Sequence, residues 1–198
     1  KITWIYTVPT MMGRMYRLPD EVKAKYDLSS LKTLWHLAAP CPPWLKQAWI
    51  DWIGPDAVME LYGGTEGVAS TILDGNEWLL HRGSVGRVVG GAEIAAFSPD
   101  LQRLPAGETG EIFMRRAEGT PETYRYLGAE SKPLEGGWES IGDIGWLDED
   151  GYLYLADRRT DMILVGGANV YPAEVEAAID DHPLVGSSCV IGLPDDDL

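Results

Sequence analysis

Residues 62–66, with the sequence Tyr-Gly-Gly-Thr-Glu, combine reactive side chains with a backbone that a ligand can approach closely. An apolar run at residues 58–61 leads into them and predicts a β-strand that ends at the two glycines. Glycine allows a sharp turn and leaves no Cβ between backbone and ligand. A ring, a hydroxyl and a carboxylate would then meet at a strand end, which suits a nucleotide and Mg²⁺. Taken alone, the stretch is better interpreted as a β-turn with incidental side chains, because such short motifs recur by chance.

The neighbouring residues predict the elements that would position this stretch. Residues 34–39 are typical of a buried strand, which the prolines of residues 40–43 end. Pro43 then opens a predicted helix that Gly54 ends, with apolar residues at helical spacing on one face: Leu45, Ala48, Trp49, Trp52 and Ile53. Strand, helix and strand form a βαβ unit, which implies a parallel strand pair and a right-handed crossover.

After Gly67 the pattern changes to short strands separated by turn residues. Residues 85–88, 93–97 and 110–114 predict a small antiparallel sheet or barrel. Two further strands are predicted to form a hairpin whose acidic turn, residues 148–151, resembles a calcium loop only loosely. Towards the end of the chain a helix is predicted from Pro172 to Asp180, with Val175 and Ile179 on its buried face. Residues 187–191 predict a final strand.

Composition excludes several classes of function. The 198 residues carry 16 Lys and Arg against 31 Asp and Glu, a formal charge of −15. Such a surface repels nucleic acid and anionic membranes. The two cysteines, Cys41 and Cys189, form no zinc or disulfide motif and fit a reducing, cytoplasmic compartment. No apolar run approaches the ~20 residues of a membrane span. The chain starts at Lys1 without a signal-like segment, so we expect a piece of something longer.

Basic residues are scarce in the acidic second half of the chain. From residue 130 onward, the basic residues are Lys132, Arg158 and Arg159. An arginine pair in an acidic field could hold a phosphate or a ribose, and it could equally form local salt bridges. Charge alone does not decide between the two.

Three stretches that follow one another along the chain together point to a family. They are residues 62–66, Gly142 with Asp143, and Asp157 with Arg158 followed by residues 166–176. This series resembles the motifs of the adenylate-forming enzymes, which include acyl-CoA synthetases, adenylation domains of peptide synthetases and beetle luciferases. The resemblance runs along most of the chain and is strongest over residues 34–66 and 138–176.

The resemblance implies an α/β plus β fold made of parts of two domains. Residues 1–80 would form part of the α/β subdomain of the large N-terminal domain, and residues 81–157 its small antiparallel β-barrel-like subdomain. Residues 158–198 would be the incomplete start of a small, mobile α+β C-terminal domain. The chain would thus hold the back half of the large domain and the opening of the small one.

Nucleotide-binding roles follow from the resemblance for eight residues: Ala38, Ala39, Pro40, Tyr62, Gly63, Gly64, Asp143 and Arg158. Tyr62 would stack on the adenine, with the backbone of residues 38–40 on the other side. Asp143 would accept both ribose hydroxyls, which suits a carboxylate. Arg158 would support the ribose or a phosphate through its fork of donors. In isolation, Asp143 is better interpreted as part of a turn and Arg158 as part of a surface ion pair.

The same resemblance implies catalytic roles for Thr65 and Glu66. Thr65 would bond the α-phosphate, and Glu66 would hold Mg²⁺. The implied hinge between the domains is Thr160, where the family more often has Lys or Asp. The pantetheine arm of coenzyme A would pass along Gly166, Gly167 and Ala168. A second departure is Ile141, because a small hydroxyl residue usually precedes the Gly-Asp pair.

The implied activity is the ATP-dependent activation of a carboxylic acid, with transfer of the acyl group to coenzyme A. A fatty or other apolar acid is the favoured substrate, ATP or AMP and Mg²⁺ are the expected ligands, and a homo-oligomer is allowed. Two lysines that the family uses are not found here: none matches the phosphate loop before Tyr62, and no lysine follows Lys132. We therefore expect these 198 residues to be inactive alone. The alternatives are an adenylation domain that loads a carrier protein and a non-catalytic binding module.

Overall fold

The computed structural model describes residues 1–127, 133–158, 161–165, 168–180, 182 and 184–193. Within them the strands are β1 (Trp4–Thr7), β2 (Thr33–His36), β3 (Val58–Gly63), β4 (Ser70–Asp74), β5 (Ser84–Val88), β6 (Glu93–Phe97), β7 (Gly110–Arg115), β8 (Trp138–Leu147), β9 (Tyr152–Arg158), β10 (Ile163–Val165) and β11 (Ala168–Val170). The helices are α1 (Pro9–Tyr16), α2 (Asp20–Lys23), α3 (Pro43–Ile53), α4 (Gly75–Leu80) and α5 (Pro172–Asp180), with a 3-10 turn at Pro55–Ala57.

Nine strands form one sheet in the order β1-β2-β3-β4-β5-β9-β8-β7-β6. β1, β2 and β3 run parallel to one another, and every later pair in this order is antiparallel. The predicted parallel pair of the βαβ unit is therefore confirmed. The antiparallel strands are joined to the parallel ones through the pairing of β3 with β4, so both parts share one hydrogen-bonded sheet.

Two apolar clusters support the two parts of the sheet. The first packs α3 against the sheet, with Leu45, Trp49 and Ile50 in one cluster with Val58 of β3 and Leu73 of β4. The second lies under the antiparallel strands; its buried members are Val68, Ala69, Ile94, Ala96, Ile112, Met114 and Leu153. Since Tyr62 and Ile141 pack against the second cluster, the end of β3 lies where the two parts of the sheet meet.

Helix α4 was not predicted, although its start has a recognisable sequence signature. Asp74 Oδ1 accepts a hydrogen bond from the Glu77 amide at 2.8 Å, and Glu77 Oε2 accepts one from the Asp74 amide at 3.2 Å. This reciprocal capping box stabilises a helix of six residues, which is too short to show apolar periodicity.

The β8–β9 hairpin has the predicted acidic turn. Asp148 Oδ1 accepts hydrogen bonds from the amides of Asp150 at 3.0 Å and Tyr152 at 2.8 Å. The carboxylate thus shapes the turn by bonding to its own backbone, as aspartate commonly does. In the described part of the chain, every helix is too short or too polar to cross a bilayer.

Two expectations for the end of the chain are wrong. Helix α5 has the predicted bounds, but Val175 and Ile179 are 37% and 40% exposed because α5 packs against β9 through another face. Residues 187–191 form no strand. They are held by α5 instead: the Val190 amide donates to Glu176 Oε1 at 2.7 Å, and Ser188 Oγ donates to the Glu176 carbonyl at 3.3 Å.

Candidate functional site

The candidate site lies at the carboxyl ends of β2 and β3, which are parallel neighbours in the sheet. Ala38, Ala39 and Pro40 follow β2 and are exposed. Residues 64–66 follow β3, with Thr65 exposed and Glu66 partly buried. Open α/β sheets bind ligands at this edge, since the chain turns away from the sheet there and leaves a crevice.

Ala38 has a φ of +71°, which is unusual for a residue with a Cβ. This left-handed conformation turns the chain sharply after β2, and it is a local strain that glycine would not experience. Strained backbone of this kind is concentrated at ligand-binding loops, so its position supports the site.

Tyr62 and Asp143 are in direct contact, although 81 residues separate them in sequence. The Tyr62 hydroxyl donates to Asp143 Oδ2 at 2.5 Å. Asp143 is 6% exposed. Burial, followed by the charge of Asp143, raises the pKa of Tyr62, so the phenol stays protonated and acts as the donor. The structure thus brings together two of the residues predicted for the site.

Arg158 joins this contact from the neighbouring strand. Asp143 and Arg158 are paired in the register of β8 and β9, and Arg158 Nε lies 3.5 Å from Asp143 Oδ1. Burial raises the pKa of Asp143, the Tyr62 hydrogen bond and Arg158 oppose that rise, and the charges of Asp157 and Glu66 add to it. Several carboxylates therefore lie together at one edge of the sheet, beside the Arg158 guanidinium group.

The Asp143 carboxylate keeps accepting capacity despite these partners. A carboxylate offers about four lone-pair sites, so one partner on each oxygen leaves about two free. Two free sites on one rigidly held carboxylate match the two hydroxyls of a cis-diol. Beyond its contacts with Tyr62 and Arg158, Asp143 therefore retains acceptor sites among its described partners.

The two glycines at the end of β3 lie close to neighbouring atoms. A Cβ at Gly63 would lie 2.7 Å from Ser70 Oγ, and a Cβ at Gly64 would lie 2.5 Å from Glu66 Oε2. The Glu66 carboxylate is thus folded back over the Gly64 backbone. Any larger residue at position 64 would displace the carboxylate.

A segment after β7 covers the Glu66 turn, and it was not predicted as part of the site. The Tyr126 hydroxyl donates to Glu66 Oε1 at 2.9 Å. Thr123 Oγ1 donates to the Glu66 carbonyl at 2.5 Å, and Arg116 Nη2 donates to the same carbonyl at 3.3 Å. These partners lie 50 to 60 residues from Glu66 in sequence. In the sequence, only their polar and aromatic side chains could have identified them as candidate site residues.

A buried charged group beneath the site was also not predicted. Lys46 of α3 and Glu60 of β3 form an ion pair through Glu60 Oε2, with side chains 1% and 10% exposed. His36, the register neighbour of Glu60, is fully buried, and its Nδ1 lies 3.7 Å from Glu60 Oε1. Burial, followed by the charge of Lys46, lowers the pKa of His36 to about 3, so His36 is neutral.

Of the remaining predicted residues, Ala168 is the one that the structure describes. Ala168 belongs to β11 and is exposed. Thr160, Gly166 and Gly167 lie outside the described residues. Their predicted roles as hinge and as path for the pantetheine arm stay predictions.

Glu66 fits the role of a magnesium ligand in a nucleotide site. Mg²⁺ keeps several waters and commonly binds one or two protein carboxylates together with the substrate phosphates. One carboxylate held in place at the mouth of the crevice meets that requirement. Among the described residues there is no group of three or more His, Cys, Asp and Glu side chains arranged to hold a metal by themselves.

Comparison with known proteins shows which family the chain resembles. Residues 1–124 match the sequence model of the family described as AMP-binding enzyme. A feruloyl-CoA synthase from Amycolatopsis sp. is 35% identical over 98% of the chain and 39% of its own length. A 2-succinylbenzoate–CoA ligase from Geobacillus kaustophilus (strain HTA426) is 39% identical over 69% of the chain and 28% of its own length.

Solved structures with the same fold include two bacterial enzymes. The amide bond synthetase McbA from Marinactinospora thermotolerans superposes with a TM-score of 0.85, at 30% identity over 98% of the chain and 40% of its own length. The o-succinylbenzoate CoA synthetase MenE from Bacillus subtilis, in complex with the acyl-adenylate OSB-AMP, gives a TM-score of 0.80. Its identity is 30%, over 99% of the chain and 39% of its own length.

The chain therefore spans less than half the length of these relatives. The likeness extends over nearly the whole chain in sequence and in structure, and it confirms the predicted fold class. The relatives include ligases that join acids to coenzyme A, and the matched residues contain the crevice at the ends of β2 and β3. The chain belongs to the family of AMP-binding enzymes.

Proposed function

We propose that the protein containing this chain activates a carboxylic acid with ATP and transfers the acyl group to coenzyme A. The observation that carries this proposal is the contact of Tyr62, Asp143 and Arg158 next to Glu66 at the ends of parallel strands. A diol acceptor, a cation and a second carboxylate meet there, and these are the groups that a magnesium-bound nucleotide requires.

Asp143 binds the ribose in this proposal. Its two oxygens are fixed by Tyr62 and Arg158, so the carboxylate meets the diol without further ordering. Preorganised acceptors bind more tightly because less side-chain entropy is lost. Arg158, with its side chain 70% exposed, can also reach a phosphate oxygen.

Tyr62 and residues 38–40 hold the adenine from two sides. The hydroxyl of Tyr62 is tied to Asp143, which fixes the orientation of the ring. Residues 38–40 follow the neighbouring parallel strand and are exposed, so their backbone is available to the base. Thr65, exposed in the turn after β3, donates its hydroxyl to the α-phosphate.

Glu66 would hold Mg²⁺, which when bound neutralises phosphate charge as pyrophosphate leaves. The substrate carboxylate attacks the α-phosphorus, which forms an acyl-adenylate and releases pyrophosphate. The thiol of coenzyme A then loses its proton, bonds to the acyl carbon and releases AMP. The chain contributes mainly by positioning, since holding reactants in line accounts for much of the acceleration in such transfers. We place the hinge at Thr160 and the path of the pantetheine arm along Gly166, Gly167 and Ala168.

The substrate we propose is an apolar acid, either fatty or aromatic. Two relatives are named for ferulic and 2-succinylbenzoic acids, both of which contain an aromatic ring. Ile141 supports an apolar substrate, because it places a hydrocarbon side chain near Gly64 where a hydroxyl residue is usual. Its Cδ1 would lie 3.4 Å from a Cβ at Gly64.

The test is carboxylate-dependent exchange between ATP and pyrophosphate by the full-length protein, across fatty acids of rising length and aromatic acids. We expect exchange with one acid class, and a loss of about 10²–10³ in rate for Glu66→Gln, as for other lost electrostatic contacts to a transition state. Glu108→Gln is the control, because Glu108 is exposed in a turn away from the site.

The acceptor is tested in the same protein by product analysis. Exchange that yields no acyl-CoA would contradict coenzyme A as acceptor and favour a carrier protein. No exchange with any acid, from a protein shown to be folded, would favour a non-catalytic binding module. We also expect the 198 residues alone to give no exchange, since neither family lysine is found in them.

A further inference from the structure

The segment that follows β7 crosses the turn after β3 and makes three hydrogen bonds to one residue, Glu66. Thr123 and Arg116 bind its carbonyl oxygen, and Tyr126 binds its carboxylate. The backbone contacts fix where the turn lies. The contact from Tyr126, at 2.9 Å, is the one that acts on the functional group itself.

The Glu66 carboxylate is held in one orientation by this contact. Oε1 accepts the Tyr126 hydroxyl, and Oε2 lies over Gly64, where a Cβ would come within 2.5 Å. A free glutamate side chain samples many rotamers and loses that freedom when it binds a ligand. Here the tyrosine restricts the rotamers before any ligand arrives.

Tyr126 can act only as a donor in this contact. A phenol keeps its proton at neutral pH, so the hydroxyl donates and Glu66 Oε1 accepts. The hydroxyl adds no formal charge, and one such donor leaves acceptor sites on a carboxylate for a metal. A dication is best met by a carboxylate that is already oriented.

Tyr126 is 37% exposed, and a ring contact with its neighbour Tyr124 positions it. Its ring makes an edge contact with Tyr124 at 4.9 Å between centroids. The Tyr124 hydroxyl donates to Glu139 Oε2 at 2.5 Å, and Tyr124 packs against the second apolar cluster. The tyrosine that holds Glu66 is therefore anchored to the antiparallel part of the sheet.

We propose that Tyr126 is a positioning residue, whose hydroxyl orients the Glu66 carboxylate for the magnesium-bound nucleotide. This inference rests on the proposed function, because it assumes that Glu66 meets Mg²⁺. It predicts that loss of the hydroxyl weakens metal-dependent binding while the nucleotide crevice stays intact. The effect appears in the apparent affinity for Mg²⁺ and hardly in the maximal rate, since excess metal compensates for a poorly oriented ligand.

The experiment uses Tyr126→Phe in the full-length protein, with Tyr154→Phe as the matched control. The Tyr154 hydroxyl also donates to a carboxylate, Asp148 Oδ2 at 3.1 Å, but on another turn. Titration calorimetry gives the affinity for ATP at rising Mg²⁺ and the affinity for AMP without Mg²⁺. Pyrophosphate exchange gives the rate at saturating Mg²⁺.

For Tyr126→Phe we expect the apparent Mg²⁺ affinity to fall about tenfold, which corresponds to about 1.4 kcal/mol. AMP binding without metal and the rate at saturating Mg²⁺ stay within about twofold, because the adenine and ribose contacts are untouched. Combining Tyr126→Phe with Glu66→Gln should weaken Mg²⁺ dependence no further than Glu66→Gln alone, since the hydroxyl acts through that carboxylate.

The outcomes separate this inference from the proposed function. A wild-type protein that binds neither ATP nor AMP would overturn the proposed function. If ATP binding by the wild-type protein depends on Mg²⁺ and the Tyr126→Phe variant shows the same dependence, the inference alone is overturned. A Tyr126→Phe variant that fails to fold, by its thermal transition, would assign the hydroxyl a structural role and also overturn the inference.

Discussion

At the scale of single residues, Asp143 shows how a buried carboxylate is kept available for a ligand. Burial raises its pKa and thus favours the neutral form, which accepts hydrogen bonds poorly. The Tyr62 hydroxyl and the Arg158 guanidinium favour the ionised form. The balance of these contacts decides at which pH the carboxylate can accept a ribose diol.

Removing the Tyr62 hydroxyl should shift the pH dependence of nucleotide binding. In Tyr62→Phe one cause that lowers the pKa of Asp143 is lost, so that pKa rises further and Asp143 is protonated at higher pH. AMP binding by either protein should weaken as pH falls through the pKa of Asp143, and the variant should weaken first. Calorimetry at a series of pH values from neutral downward measures the midpoint. Tyr26→Phe, at an exposed position, is the control, and equal midpoints in all three proteins would contradict the expectation.

Ala38 offers a test of strain at the site. Its positive φ costs an L-residue roughly 1–2 kcal/mol, whereas glycine adopts it freely but gives the unfolded chain more entropy. We expect Ala38→Gly to raise the free energy of unfolding by about 0.5–1 kcal/mol and Ala39→Gly to lower it by a similar amount, since Ala39 has no positive φ. Urea denaturation of both variants checks this, and a loss of stability in Ala38→Gly would refute it.

At the scale of elements, the Lys46–Glu60 pair ties α3 to β3 two residues before Tyr62. Its charges are almost fully buried, with His36 as a neutral neighbour. Buried pairs of this kind add little net stability, but removing one partner leaves an uncompensated charge. The pair therefore fixes the position of the strand that carries the site.

Lys46→Met should lower the free energy of unfolding by about 3–5 kcal/mol, because the Glu60 charge is left alone in the core. Lys46→Met with Glu60→Gln should recover most of that loss.

Burial raises the folded-state pKa of Glu60, and losing Lys46 raises it further. A raised folded-state pKa means that the folded protein binds the proton more tightly, so the single variant should gain stability as pH falls. Urea denaturation at about pH 7 and about pH 5 measures this; equal losses in single and double variants would contradict it.

Sequence predicted the elements with strong local signals and missed contacts made over long distances. The apolar periodicity of α3 and the glycines after β3 were sufficient for the βαβ unit. Lys46 was not recognised as buried, since a lysine in a helix normally faces solvent and its partner lies on another element. The Tyr126–Glu66 contact spans 60 residues and follows no periodic pattern, so only the fold could bring it together. The strand predicted at residues 187–191 failed because α5, rather than a neighbouring strand, binds that backbone.

At the scale of the whole molecule, the end of the chain is attached differently from the rest. Among the described residues from 161 to 193, only Pro172 is buried. Hydrogen bonds join this part to the rest of the described chain: the Asp161 and Met162 amides donate to the Arg158 carbonyl at 3.0 and 3.2 Å, the Ala173 amide donates to Asp157 Oδ2 at 3.0 Å, and Arg17 Nη2 donates to the Gly186 carbonyl at 2.7 Å. Regions with little burial open at low free energy. This pattern supports the proposed boundary near residue 158.

Limited proteolysis should therefore cut the chain shortly after β9 and leave the nine-stranded sheet intact. We expect a stable product that ends near residue 158, because the last strand of that sheet ends at Arg158. Asp157→Ala should speed cleavage by about fivefold, since the hydrogen bond that holds the start of α5 is worth about 1 kcal/mol. Asp100→Ala, in an exposed loop, should leave the rate unchanged. Mass spectrometry of the products locates the cut. A hinge at Thr160 requires the segment after Arg158 to open before the sheet does. First cleavage within residues 58–97, or equal cleavage rates for Asp157→Ala and Asp100→Ala, would therefore show that the boundary lies elsewhere.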